Sequence, residues 1–324
     1  MVIGQNPFRE RSRITNPDRF VGRWSELSLI FDRLEAGRPV LIIGQHGVGK
    51  SSLLTHIQQS GAATMELPTL RSYFIDLALL PDATACYQLV CQALNQRGTS
   101  NAELEQAIAE SGAPLLLCLD NAEQALAAGW GEVLLEQLAR STRHTDLFLA
   151  VVAGGRAPDL SERFAIVSVG AFANVEVGLL ADAYLDQTGV QFTPAEQREL
   201  AMISVGHPAY LQRAAYHLFN SKTGGPTHWQ QAYFDEARST PVPGAPLPAA
   251  VFAGELGQRS ESVYGNEPGR SPIGGQPPLQ LDTGASLRIL VPFGVAAMVG
   301  VISGNWWLAV LLGVVLLVVA ARKR

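Results

Sequence analysis

The sequence predicts an α/β protein: a parallel five-stranded sheet covered by helices, then a helical lid, a flexible linker and C-terminal transmembrane helices. Three observations predict it. As far as Val177, short and nearly continuous apolar runs alternate with helical patterns, which is how strands buried on both faces of a parallel sheet read. Beyond Val177 the strand-like runs stop and only helical patterns follow. From Ser239 the chain turns rich in Pro, Gly, Ser and Gln, and residues 289–321 then carry no charge, a run longer than the ~20 needed to cross a bilayer once. The expected divisions are 1–176 for the sheet domain, 177–238 for the lid, 239–286 for the linker, 287–321 for a membrane hairpin and 322–324 for a basic tail.

The first strand is Pro39-Val40-Leu41-Ile42-Ile43, apolar and rich in β-branched residues. It runs into Gly44-Gln45-His46-Gly47-Val48-Gly49-Lys50-Ser51, the complete pattern G-x-x-x-x-G-K-[ST]. Ser52-Leu53-Leu54-Thr55-His56-Ile57 then reads as the opening of a helix. Strand, glycine loop and helix in that order are the setting of a phosphate cradle. The glycines let successive backbone N–H groups converge on an anion, and the helix N-terminus adds partial positive charge. Lys50 would reach the β- and γ-phosphates, and the Ser51 hydroxyl would hold Mg²⁺. Residues Gly44 to Ser52 are therefore the expected contacts of a nucleoside triphosphate, ATP with Mg²⁺.

Four further strands are expected at residues 73–77, 115–119, 147–153 and 165–169. Between them lie helical patterns such as 87–94 and 123–140, the second with Leu126, Val133, Leu134 and Leu138 on one face. The third strand ends at Asp120, where an open α/β sheet places its ligand groups, so Asp120 can bind Mg²⁺ opposite Ser51. Asp76 closes the strand before it, facing the cleft or capping the next turn. The lid pattern gives helices at 179–187, 194–205, 208–219 and 227–238, with Thr193 as N-cap, Pro194 at the first position and Glu196 in the first turn.

Several motifs in order resemble the AAA+ and STAND branch of P-loop ATPases, including its origin-recognition-like members. Asn6-Pro7-Phe8 begins many bacterial relatives, and Phe20-Val21-Gly22-Arg23-Trp24-Ser25-Glu26-Leu27 looks like the segment that contacts adenine in that group. Gly206-His207-Pro208 resembles the G-x-P motif of the lid, whose proline (here Pro208) packs near the nucleotide. Arg156 matches the sensor arginine aimed at the γ-phosphate. The resemblance implies a P-loop NTPase sheet of the ASCE type, ordered five-one-four-three-two, under a helical lid. It also exposes a departure: relatives often carry a glutamate directly after the strand-end aspartate, and here that position is Asn121, which cannot accept a proton. Glu123 either reaches inward in its place or serves as a first-turn glutamate favoured by the helix dipole. The catalytic set on this reading is Lys50, Asp120, Glu123 and Arg156, with hydrolysis expected to be slow. Arg163 stands where rings of this group often place a trans-acting arginine, and reads more simply as a solvated surface residue.

Charge and composition set the remaining expectations. The net charge of −5 argues against a dedicated nucleic-acid partner. Arg9, Arg11, Arg13 and Arg19 could touch phosphates or acidic lipid, and read more simply as a solvated N-terminal arm. Cys86, Cys91 and Cys118 form no C-x-x-C pair and read as reduced core thiols, and no His lies at metal-ligand spacing. Arg288 and Arg322-Lys323-Arg324 flank two apolar blocks separated by Ser303-Gly304-Asn305, which favours a hairpin in the cytoplasmic membrane with both ends in the cytosol. The expected protein is a membrane-tethered ATP switch that signals to a partner or assembles with itself. The alternative is an ATP-gated membrane effector without turnover.

Overall fold

The computed structural model describes residues 5–154, 160 and 162–248. Its strands are β1 (Val40–Ile43), β2 (Arg71–Asp76), β3 (Leu115–Asp120), β4 (Leu147–Val152) and β5 (Ala165–Ser168). They form one parallel sheet in the order β2-β3-β4-β1-β5, the five-one-four-three-two arrangement expected. β3 is buried along its whole length, which is why Leu115-Leu116-Leu117-Cys118-Leu119 shows no polar alternation. The pleat sends Leu115, Leu117 and Leu119 to one face and Leu116 and Cys118 to the other.

Helices α1 (Trp24–Glu35) and α2 (Lys50–Thr64) cover the second of these faces, burying Ile30, Leu34, Leu53 and Ile57. Helices α3 (Ala83–Ala93), α4 (Asn101–Ser111), α5 (Ala122–Ala127) and α6 (Gly131–Ser141) cover the first. The single helix expected over 123–140 is thus two, broken where Gly129 takes φ +82°. Val133 is not on the buried face: it is exposed, while Leu134 and Leu138 are fully buried. Neighbouring residues of a helix lie about 100° apart, so 133 and 134 do not share a narrow stripe.

The lid consists of α7 (Asn174–Leu185), α8 (Pro194–Ser204), α9 (Pro208–Lys222) and α10 (Trp229–Ser239) around its own core, including Leu180, Tyr184, Leu200, Leu218 and Tyr233. Thr193 caps α8 as expected, and the Glu196 carboxylate returns a bond to the Thr193 N–H at 2.7 Å. Two segments assigned elsewhere from the sequence belong to this core. Phe8 is fully buried, stacked on Tyr184 at 5.3 Å and Phe192 at 5.7 Å, and Asn6 donates to the Tyr216 carbonyl and to Asn220. The N-terminal turn therefore packs with the lid rather than with the sheet domain. At the other end, residues 240–242, assigned from the sequence to the flexible tether, also join this core. Val242 is buried, its N–H donates to the Tyr210 hydroxyl at 3.0 Å, and Arg213 donates to the Thr240 carbonyl.

Among the described residues no helix is long and apolar enough to cross a membrane. The expected membrane hairpin, its basic tail and Arg156 lie outside the described residues.

Candidate nucleotide site

The loop between β1 and α2 is shaped by its glycines and finished by the helix. Gly49 is the residue before α2 and holds φ +95°, a left-handed conformation that turns the chain into the helix. No side chain caps this helix, and the N–H groups of Gly49, Lys50, Ser51 and Ser52 meet no acceptor among the described residues. Such orphaned donors at a helix start suit a polyphosphate. The Lys50 ammonium donates to the carbonyls of Gly44 (2.8 Å) and Gln45 (2.9 Å). Burial pulls its pKa below the ordinary lysine value, against the opposing charges of Glu123 and Asp120.

Asp120 is buried at the tip of β3, faces the Ser51 hydroxyl and accepts a bond from the Asn121 N–H at 3.0 Å. Burial pushes its carboxyl above the ordinary aspartate value; the Ser51 hydroxyl, the Asn121 N–H and the charge of Arg13 pull the other way. A hydroxyl and a carboxylate in contact are the donor set a magnesium ion takes beside phosphates. Asn121 donates from Nδ2 to Asp76 at 2.7 Å, and Asp76 also accepts from the Ala78 N–H. Asp76 thus caps the turn that follows β2. Glu123 stands in the first turn of α5 and also faces the cavity, where its carboxylate accepts the Gly154 N–H at 2.9 Å. Both descriptions open from the sequence apply to it at once.

His46 through Ser52, Asn121 and Glu123 line a cavity of about 330 Å³; Asp120, expected there, and Asp76 are not among its lining residues. Gly44 and Gln45, expected as contacts, line instead a separate space of about 450 Å³, shared with Val169 and Tyr210. Phe20, Val21 and Arg23 reach the main cavity, as does Pro208 at the start of α9. The Phe20 ring stacks on His56 with centroids 4.3 Å apart. Arg23 is committed to protein rather than open to a ligand. Its guanidinium donates to the carbonyls of Val48 (3.0 Å) and Gly170 (2.7 Å), pairs with Glu26 and lies over Phe172. Its own N–H donates to Glu176 in the lid. Gly22, just before it, carries φ +77° at the turn that brings Phe20 and Arg23 to the loop.

The lid touches the back of the loop through His207 and Val242. His207 Nε2 donates to the His46 carbonyl at 3.1 Å, and its Nδ1 is buried without a partner among the described residues. Burial lowers the pKa of this ring, against the bond to His46. A Cβ on Gly47 would stand 3.0 Å from both the His207 ring and the Val242 side chain. Arg11 and Arg13, which the sequence offered as phosphate contacts, line the cavity; Glu10, Ser12, Ile14, Gln212 and Arg213, which it did not, line it too. Only the positive charge of the arm and of α9 hinted at them. Arg163 pairs with Glu136 at 3.4 Å on α6. The three cysteines are buried and free, and burial pushes the Cys86 thiol up to about 12, as suits core thiols. No metal-binding cluster of His, Cys, Asp or Glu occurs among the described residues.

Comparison with known proteins agrees with this geometry. Residues 38–187 match the model of the NACHT domain. No curated protein matches the sequence. Among solved structures, the Walker-type ATPase PABY2304 of Pyrococcus abyssi superposes with a TM-score of 0.52 at 16% identity, over 79% of this chain and 80% of that one. The Aeropyrum pernix ORC1 protein in complex with DNA gives 0.48 at 12% identity, over 70% of each chain. A STAND protein with a tetratricopeptide repeat sensor from Pyrococcus horikoshii gives 0.44 at 18% identity, over 69% of this chain and 33% of that one. Only the first is near enough to speak for the fold. The described fold is that of a P-loop ATPase domain, and its central part carries the sequence pattern of a NACHT domain.

Proposed function

We propose that the protein is an ATP-binding switch, with Mg²⁺, in which the lid reports the state of the phosphate loop. The single observation that carries this reading is the uncapped start of α2 beside the Ser51–Asp120 pair. Ser51 and Asp120 would hold the metal, which neutralises phosphate charge when bound. Lys50 would exchange the carbonyls of Gly44 and Gln45 for phosphate oxygens. That exchange frees two carbonyls in the segment whose next residue, His46, is bonded to His207, so loop and lid move together.

Hydrolysis on this reading is slow. Asn121 spends its amide on Asp76, and Glu123, a carboxylate that faces the cavity beside the phosphate loop, has one oxygen on Gly154. One carboxylate oxygen remains to orient water. The same two bonds favour a second reading, an ATP-gated protein without turnover. Residues 289–321, with their basic flanks, would tether either form to a membrane with the ATPase domain in the cytosol, signalling to a partner or to further copies. Single-turnover measurement on ATP-loaded protein separates the readings. Release of phosphate that drops about 100-fold in Glu123→Gln supports the slow enzyme; ATP retained intact over hours supports the gate.

A further inference from the structure

Four arginines in the N-terminal arm have different fates. Arg11 pairs with Glu236 of α10 at 3.2 Å and lies over Tyr216. Arg19 donates to the Pro7 carbonyl and lies over Tyr184 in the lid. Arg9 falls in the turn that packs on the lid. Arg13 combines what none of the other three does: it lines the cavity, it is exposed, and among the described residues no carboxylate pairs with it.

Its position is set by neighbours on both sides. The next residue, Ile14, donates its N–H to the Ser52 hydroxyl at 3.0 Å, and the Thr15 carbonyl accepts from Gln59 at 2.8 Å. Both partners are on α2, so the arm is pinned to the helix that starts at the phosphate loop. Arg13 itself lies with its guanidinium carbon 4.1 Å from the centroid of the Phe74 ring. Phe74 pairs with Cys118, two residues before Asp120, so this platform stands beside the strand that ends in the metal-side carboxylate. Arg13 also lines the same cavity as Lys50 and Ser51, and its charge is felt at Asp120.

An unpaired guanidinium on an aromatic platform, hinged one residue from the first turn of α2, is a cation held ready for an anion. The loop amides serve the inner phosphates and Lys50 spans the β- and γ-phosphates; Arg13 stands toward Asp120, the side on which the terminal phosphate and its metal lie. We propose that Arg13 is a specificity-determining residue, supplied in cis by the N-terminal arm, that engages the terminal phosphate and makes the site prefer a nucleoside triphosphate to a diphosphate. The arm also joins the lid at Phe8 to α2 at Ser52, so this contact would tell the lid which nucleotide is present. The inference rests on the ATP-site reading and goes beyond it.

The test is equilibrium binding of ADP and of the non-hydrolysable imidotriphosphate analogue of ATP, with magnesium, to the full chain. Wild type, Arg13→Ala, Arg13→Lys and Lys50→Ala are compared, with melting curves to show that each is folded. The expected result is an affinity for the triphosphate analogue reduced about tenfold in Arg13→Ala, with ADP affinity changed less than about twofold. Arg13→Lys recovers part of the loss, because a point charge replaces the planar fork. Lys50→Ala weakens both ligands. Unchanged affinities in Arg13→Ala, or equal losses for both ligands, overturn the role of Arg13 and leave the site reading standing. Folded wild type that binds neither ligand overturns the site reading, and the inference with it.

Discussion

The two walls of the cavity are built by different means. The phosphate wall is one contiguous stretch, from the end of β1 to the first turn of α2, whose geometry comes from backbone amides and glycines. The opposite wall is assembled from distant pieces, the arm, Arg23, Phe172 and the start of α9, and rests on a lid core that includes Phe8. The first wall exists as soon as a strand and a helix flank the loop. The second exists only once the lid core has packed. The difference teaches where each kind of damage should appear: changes in the phosphate wall should cost binding, and changes in the lid wall should cost stability first.

The largest expected effect breaks the lid wall. Phe8→Ala removes a fully buried ring stacked on two aromatic neighbours, and should destabilise the fold by about 3–5 kcal/mol. Chemical denaturation would show this as a lower midpoint; an unchanged midpoint would mean that the N-terminal turn does not belong to the lid. Next comes Gly47, where the walls meet. Gly47→Ala puts a methyl 3.0 Å from His207 and Val242 at a position with φ +75°. The expected cost is about 1–2 kcal/mol of stability, together with weaker nucleotide binding, since both walls are disturbed at once.

Acidification sharpens the contrast. The buried His207 ring has a lowered pKa, so its contribution to stability is complete above the ordinary histidine value of about 6.5 and is lost as pH falls below it. The unfolded chain takes the proton that the folded lid refuses. His56, also lowered by burial, acts in the same direction. For His207 alone the loss is bounded by about 1.4 kcal/mol per pH unit. Melting temperatures at pH 7.5 and 5.5 should therefore fall further in wild type than in His207→Gln. The smallest effect belongs to Asp120, whose raised pKa means that the ionised form is disfavoured by the fold near neutrality. Asp120→Asn should raise the midpoint at pH 7 slightly, by less than about 1 kcal/mol, while magnesium ceases to improve nucleotide binding. A fall in stability would show that the charge helps hold the wall.

The same division explains what the sequence disclosed. The loop, its flanking strand and helix, and Asp120 at a strand tip are local patterns; all five strands were legible from apolar runs, and the sheet order came from the family resemblance alone. The four lid helices were legible too, Thr193 and Pro194 marking one start. Phe8 was not, because its burial is decided by Tyr184 and Phe192 far along the chain. Arg23 looked like a ligand contact by motif, and only tertiary structure shows its guanidinium spent on the carbonyls of Val48 and Gly170. The break at Gly129 was visible as a residue and masked by the apolar periodicity on either side. Val242 hid in a stretch whose Pro and Gly content reads as linker, although a single buried valine and one hydroxyl bond anchor it.

The most direct measurement is calorimetric titration of ATP with magnesium into the full chain and into Lys50→Ala. The account predicts one saturable site per chain in wild type and an affinity lower by about 100-fold in the variant, the loss of a charge-assisted contact to phosphate. Equal affinity in the two proteins, or no heat at all from folded wild type, would contradict it.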